Sequence, residues 1–233
     1  MTTDLRQRYD RDGYAVVEGL LTPPECAAFK RASAETRRAF ANQEQTVYVG
    51  LAAGNPVFHD LVAHPNILAA LTTLMDDGVA FISDKLVFKS AGKTFPTPWH
   101  IDRFYWPGTR TKLSLWLALD DVGVDDGALT VVDGSHRLAL EPAPGDLAST
   151  NNEFHHVASR RAWNPVDERA VPIPQGAGIF FSDRLVHGST PSRSGRDRWA
   201  WIGTYHAPTE DEPWDLEFPA RRVLTRPTSA RGP

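Results

Sequence analysis

A chain of 233 residues is long enough for one sizeable domain, and 41% hydrophobic with 23% charged residues is the balance of an ordinary soluble globular protein. A formal charge of −4 argues against nucleic acid or an anionic membrane as partner, and the one cysteine, Cys26, excludes an internal disulfide or a thiolate-only metal site. The charged opening MTTDLRQRYDRDG holds no signal-peptide-like apolar stretch, and no later run reaches the roughly 18 apolar residues of a membrane span, so a cytoplasmic protein is expected.

The first 80 residues read as mostly helical. After a short apolar stretch, Tyr14 to Leu20, Thr22 stands at an N-cap position, Pro23 and Pro24 fill the first turn and Glu25 follows. Cys26, Phe29, Ala32 and Phe40 then recur near helical spacing. A second helix is expected from Pro65 to Met75, with Ile67, Leu68, Leu71 and Leu74 on one stripe. From about residue 79 the pattern becomes strand-like, at 79–89, 111–119, 128–132, 176–181 and 199–205, with Gly, Pro, Asp and Ser between. In the second of these, Leu113, Leu115, Leu117 and Leu119 form one face, and Ser114, Trp116 and Ala118 the other. Helices first and short strands afterwards predict a mainly β (α+β) fold, an antiparallel sandwich or open barrel buttressed by N-terminal helices. A long polar connection from Arg137 to Val171 carries His155, His156, Arg160, Arg161 and Trp163, and loops of that length are often functional. The expected organisation is one domain: a helical part at about 1–78, a β core at about 79–206, and a polar, partly ordered tail at 207–233.

His100-Ile101-Asp102 places an imidazole and a carboxylate two residues apart, which on a strand aims both at one point. The triplet alone is a weak signal, equally satisfied by a solvated Asp beside an ordinary His. His187, after the apolar strand at 176–181, supplies a third ligand type. Two His and one carboxylate on one face of an iron leave neighbouring coordination positions open, the arrangement of non-haem Fe(II) oxygenases. Arg198 begins the strand ending at Tyr205, on the face of Ala200, Ile202 and Thr204. A guanidinium entering an otherwise small, apolar face requires an anionic partner, whereas a surface Arg in the charged turn 193–198 does not.

These pieces occur in a specific order: Tyr9-Asp10-Arg11-Asp12-Gly13-Tyr14, Pro98-Trp99-His100-Ile101-Asp102, Leu115-Trp116-Leu117, Gly127-Ala128-Leu129, Gly134-Ser135-His136, then His187-Gly188-Ser189 and Arg198. In that order and spacing the chain resembles the phytanoyl-CoA dioxygenase family of Fe(II)/2-oxoglutarate-dependent oxygenases, over nearly its whole length. The resemblance implies a double-stranded β-helix (jelly-roll) core, with His100, Asp102 and His187 as iron ligands. It also implies Arg198 on the distal carboxylate of 2-oxoglutarate, the Ser189 hydroxyl assisting, and Trp116 walling that pocket; His136 is expected to be structural. Ile101 stands where the family often has a polar residue, but it should point away from the metal. Asp102 fills the position that related halogenating enzymes leave open for chloride, which favours oxygenation.

The implied reaction oxidises a small organic metabolite, most simply by hydroxylation, while 2-oxoglutarate and O2 become succinate and CO2. Desaturation, epimerisation or ring formation would use the same cofactors. A redox-neutral cupin-like metalloenzyme or a non-catalytic binding domain are the other readings. Substrate contacts are expected from Arg103, Tyr105 and Trp106, immediately after the triplet, and from Arg161 in the long connection. Arginine outnumbers lysine and alanine is abundant, a bias of GC-rich bacterial genes that suggests a role in specialised metabolism.

Overall fold

The computed structural model describes residues 2–40, 46–106, 110–146, 154–208 and 218–227. The N-terminal part supplies helices α1 (Thr2–Asp12), α2 (Pro23–Ala39), α3 (Leu51–Gly54), α4 (Pro56–Leu61) and α5 (Pro65–Leu74), interrupted by strands β1 (Tyr14–Val17) and β2 (Val47–Val49). The strands β3 (Val79–Lys89), β4 (Thr97–His100), β5 (Lys112–Ala118), β6 (Leu129–Val132), β7 (Ala143–Pro144), β8 (His156–Val157), β9 (Glu168–Val171), β10 (Gly178–Ser182), β11 (His187–Ser189), β12 (Arg198–His206) and β13 (Arg222–Thr225) follow.

The start of α2 forms as its sequence dictates. Pro23 and Pro24 occupy positions whose N–H groups would be unsatisfied anyway, and the Glu25 carboxylate accepts from the Thr22 N–H at 2.7 Å and from its hydroxyl at 2.6 Å. The strands build two antiparallel sheets of a jelly roll. The larger runs β1-β10-β5-β12-β3-β13, with β2 also on β3; the smaller runs β4-β11-β6-β9, and β7 pairs with β8 apart from both.

Strand alternation decides which side chains face which layer. Leu113, Leu115 and Leu117 of β5, with Trp199, Trp201 and Tyr205 of β12, face the helices and pack with Phe29, Phe58, Ile67 and Leu71. Trp116 and Ala118, with Ala200 of β12, face the other way and meet Ile179, Phe181, Leu129 and Val131 between the sheets. Each buried Leu of the first set contributes on the order of 1.5–3 kcal/mol, so helix docking holds the large sheet from behind and leaves its inner face for a site.

Two expectations change, and the tail gains a strand. The connection from Arg137 to Val171 is not one loop. Among its described residues it contains β7, β8, β9 and short 3-10 turns, and β9 is an edge strand whose Glu168 and Arg169 masked it in the sequence. The described part of the polar tail includes β13, paired with Phe81, Ala80 and Val79 of β3; the rest of the tail beyond Ala207 lies largely outside the described residues. The strand carrying His100 ends there, and Asp102 opens a 3-10 turn, Asp102–Tyr105.

Gly13 joins two of the sequence blocks. Its φ is +85°, and a Cβ there would lie 2.4 Å from His136 Nδ1, while the Gly134 N–H donates to the Asp12 carbonyl at 2.8 Å. Gly13→Ala therefore combines left-handed strain with a clash, and it should cost about 2 kcal/mol in denaturant unfolding. An unchanged midpoint would show that the two blocks do not press together in solution.

Candidate metal centre

Strands β4 and β11 are neighbours, and their register sets His187 directly opposite His100, the ring centroids 4.2 Å apart. His100 Nδ1 lies 2.9 Å from the Pro98 carbonyl and His187 Nδ1 lies 3.0 Å from the Leu185 carbonyl. A carbonyl can only accept, so both Nδ1 atoms carry the proton and both Nε2 atoms keep a lone pair. Those Nε2 atoms stand 3.7 and 3.8 Å from Asp102 Oδ1. Ile101 is extended (φ −119°, ψ 140°), so alternation persists through the strand end. Its side chain packs outward against Val132, Ala158 and Val186, while Asp102 turns inward. Asp102 Oδ2 accepts from the Ser114 hydroxyl at 3.0 Å, which leaves Oδ1 toward the two imidazoles.

One ligand atom from each of the three residues lies within 4.8 Å of the others. Burial above all pushes the His187 imidazole down to about 4. Burial by itself would raise the Asp102 carboxyl, but the neighbouring His100 and His187 imidazoles and the charge of Lys85 hold it far below the usual carboxylate range. A neutral imidazole and an ionised carboxylate are the forms that bind a divalent transition metal. Two nitrogens and one carboxylate oxygen, with outer hydrogen bonds fixing each, fit Fe(II) with positions left over for small ligands. Ser114→Ala removes one of those outer bonds and should weaken Fe(II) or Co(II) binding by about 10-fold, read by anaerobic metal titration. Unaltered affinity would show that Asp102 needs no such support.

The three residues open into a cavity between the sheets, with Val47, Val87, Phe95, Leu129, Phe181 and Ile202 as apolar wall. Trp116 faces into it, as alternation predicts. Arg198 reaches across that ring, its guanidinium carbon 5.2 Å from the centroid, and is 2% exposed. Its Nε and Nη1 have no hydrogen-bond partner among the described residues. Burial pulls its pKa down to about 10, so it remains a cation at neutral pH. A buried cation left without an anion is costly, and the dicarboxylate 2-oxoglutarate fits that need.

Ser189 also lines the cavity, but its hydroxyl accepts from Lys89 Nζ at 2.8 Å and donates to Thr97 Oγ1 at 3.0 Å. Lys89 is absent from the sequence-based site. It pairs in register with Arg198 on the same inner face, and burial with the Arg198 charge pushes it down to about 7. Gly127 makes room for it: at φ +70°, a Cβ would lie 2.7 Å from the Thr190 carbonyl and 3.2 Å from Lys89 Nζ.

The four expected substrate contacts lie elsewhere. Arg103 turns to Asp183 at 3.2 Å and the Arg110 carbonyl at 2.8 Å. Trp106 stacks on Phe218 at 5.3 Å, with Lys112 Nζ 4.9 Å from its centroid. The Tyr105 hydroxyl donates to the His156 carbonyl at 2.7 Å, its ring 6.3 Å from that of His100. Arg161 is exposed on a 3-10 turn. None of the four is on the cavity wall, which instead has Phe154, 4.7 Å from the His100 ring, and Lys85. His136 packs beneath Gly13, away from the cluster, and Ser135 of the same turn accepts from the Val186 N–H at 2.9 Å, steadying the approach to His187.

Among the described residues no helix is long and apolar enough to cross a membrane. A family model described as phytanoyl-CoA dioxygenase matches residues 9–200. L-proline trans-4-hydroxylase of Streptomyces griseoviridis is 23% identical, over 88% of this chain and 87% of its own length. Ectoine dioxygenase of Sphingopyxis alaskensis is 25% identical, over 94% and 80%. Among solved structures, the epimerase SnoN in complex with Fe3+, alpha ketoglutarate and nogalamycin RO superposes with a TM-score of 0.72 at 26% identity, covering 88% of this chain and 82% of that one. The carbocyclase SnoK from nogalamycin biosynthesis gives 0.71 at 25% identity, covering 88% and 83%.

Proposed function

The chain belongs to the phytanoyl-CoA dioxygenase family, and from that premise we propose that it is a cytoplasmic Fe(II)- and 2-oxoglutarate-dependent dioxygenase that hydroxylates a small metabolite. The observation that carries this reading is one cavity holding both a two-His, one-carboxylate cluster and a buried guanidinium that makes no ion pair among the described residues.

Bound iron supplies the activation of O2 that couples substrate oxidation to conversion of 2-oxoglutarate to succinate and CO2. His100 and His187 hold it through Nε2, each kept in that tautomer by a carbonyl at Nδ1. Asp102 contributes Oδ1 while Ser114 fixes its other oxygen. Arg198 takes the far carboxylate of the cosubstrate, and Lys89 positions the Ser189 hydroxyl beside it. Trp116, Phe181 and Leu129 keep water from the reacting centre. Acid–base work is left to none of these groups; geometry and exclusion of water are what the protein provides.

SnoN and SnoK, an epimerase and a carbocyclase, support a second outcome on the same cofactors: epimerisation or ring formation in bacterial specialised metabolism. Anaerobic addition of Fe(II) and then 2-oxoglutarate should produce a visible charge-transfer band, and admission of O2 should release succinate. Metal binding without any response to 2-oxoglutarate would reject the oxygenase in favour of a redox-neutral metalloprotein.

A further inference from the structure

We propose that Lys85 makes this enzyme selective for substrates bearing a carboxylate, by presenting a cation on the substrate side of the metal centre. The proposal rests on the oxygenase reading and names the substrate class of that same site.

Lys85 lines the cavity together with His100, Asp102 and His187 and is half-buried. Its ammonium makes no hydrogen bond or ion pair among the described residues, although its charge reaches both Asp102 and His187. Register fixes where it stands. Along the inner face of the large sheet, Ser114 pairs with Thr204 nearest the triad, and Trp116 with Ile202 and Lys85 forms the next row. Arg198 pairs with Lys89 at the far end. Lys85 and Lys89 lie four positions apart on the strand, about 13 Å of backbone. The two ends of the cavity thus carry separate cations, one at the triad and one at the cosubstrate's distal carboxylate. Lys85 also lies opposite Val49 of β2, and Val49 is 64% exposed, so this row borders the mouth through which a substrate enters.

Charge balance points the same way. Divalent iron and Arg198 are matched by Asp102 and the dianionic cosubstrate. Lys89 spends its hydrogen bonds on Ser189 and the Thr190 carbonyl and can only add to the positive side. Among the described residues the ammonium of Lys85 is therefore uncompensated when the cofactors are in place, in a cavity whose remaining wall is mostly apolar. A substrate with an apolar body and one carboxylate satisfies both features, and the Coulomb attraction is strong because the apolar walls lower the local dielectric.

The test uses the full chain loaded anaerobically with Fe(II) and 2-oxoglutarate, and thermal shift as readout. Probes are matched acids and amides: benzoate and benzamide, cyclohexanecarboxylate and its carboxamide, N-acetyl-L-proline and its amide. The wild-type protein should be stabilised by the acids at concentrations at least about 10-fold lower than by the amides. Lys85→Met should abolish that preference, Lys85→Arg should keep it, and in both variants the 2-oxoglutarate titration of the charge-transfer band should stay within about threefold of wild type. Equal responses to acid and amide in the wild-type protein, including none to either, overturn the proposal. So does a larger loss of 2-oxoglutarate affinity in Lys85→Met, which would give the ammonium to the cosubstrate. A wild-type protein that develops no charge-transfer band refutes the oxygenase reading itself, a result distinct from the acid–amide comparison.

Discussion

Replacing Asp102 by alanine should reduce 2-oxoglutarate turnover by at least about 10³-fold, and His100→Ala or His187→Ala should do the same. The estimate is a lower bound: loss of a hydrogen bond to a metal ligand already costs 10–100-fold, and loss of the ligand itself costs more. In this molecule the consequence is sharpened by the tight supports. Without the Asp102 carboxylate, the Ser114 hydroxyl loses its acceptor and the two imidazoles, 4.2 Å apart, lose the anion that offsets the charge of a bound dication. Without His187, the small sheet keeps its ladder to Val131, so the fold should survive and the metal should not. Succinate formation and iron content per chain measure the two effects, with a melting curve to confirm folding. Near-wild-type turnover in both Asp102→Ala and His100→Ala would remove the triad from the mechanism.

Elements whose pattern is local were legible in the sequence; contacts that depend on strand partners were not. Val79–Lys89 matches its expected bounds because β-branched and aromatic residues fill it, and the Leu face of β5 packs on the helices as alternation requires. Arg198 was readable for the same reason: parity along β12 places it with Ala200 and Ile202. By contrast, β4 and β11 are four and three residues long, with Pro98 in one and Gly188 in the other, too short to leave a periodic signal. That they lie side by side is a fact of sheet order, and so are the pairing of Lys89 with Arg198 and the placement of Lys85 beside Ile202. Arg103 illustrates a different failure. Proximity in sequence to Asp102 suggested proximity in space, but a 3-10 turn advances its side chains by a third of a revolution per residue. Arg103 consequently leaves the cavity and meets Asp183.

Arg198→Met should have opposite effects on the protein alone and on its complex. In the protein alone, the guanidinium is buried with two nitrogens that find no partner among the described residues, and its pKa is pulled down to about 10 by burial, which means that the fold works against the charge. Methionine removes that penalty and keeps the apolar stem over Trp116, so the melting temperature without cosubstrate should be equal to or above that of wild type. With 2-oxoglutarate the order reverses. Truncating one partner of a buried charge pair costs about 2–5 kcal/mol, which raises the dissociation constant by roughly 30-fold to several thousandfold. A cosubstrate at 100 times its dissociation constant stabilises wild type by about 2.7 kcal/mol, and the variant at the same concentration should gain little. Because the folded value stays near 10, the cation is fully charged at pH 6–8, and the difference between variant and wild type should be flat across that range. Arg198→Lys keeps charge but loses the planar fork, and should fall between the two. Equal stabilisation of Arg198→Met and wild type by 2-oxoglutarate would mean that the cosubstrate's distal carboxylate binds elsewhere, and that this guanidinium is held in the core for a reason unrelated to it.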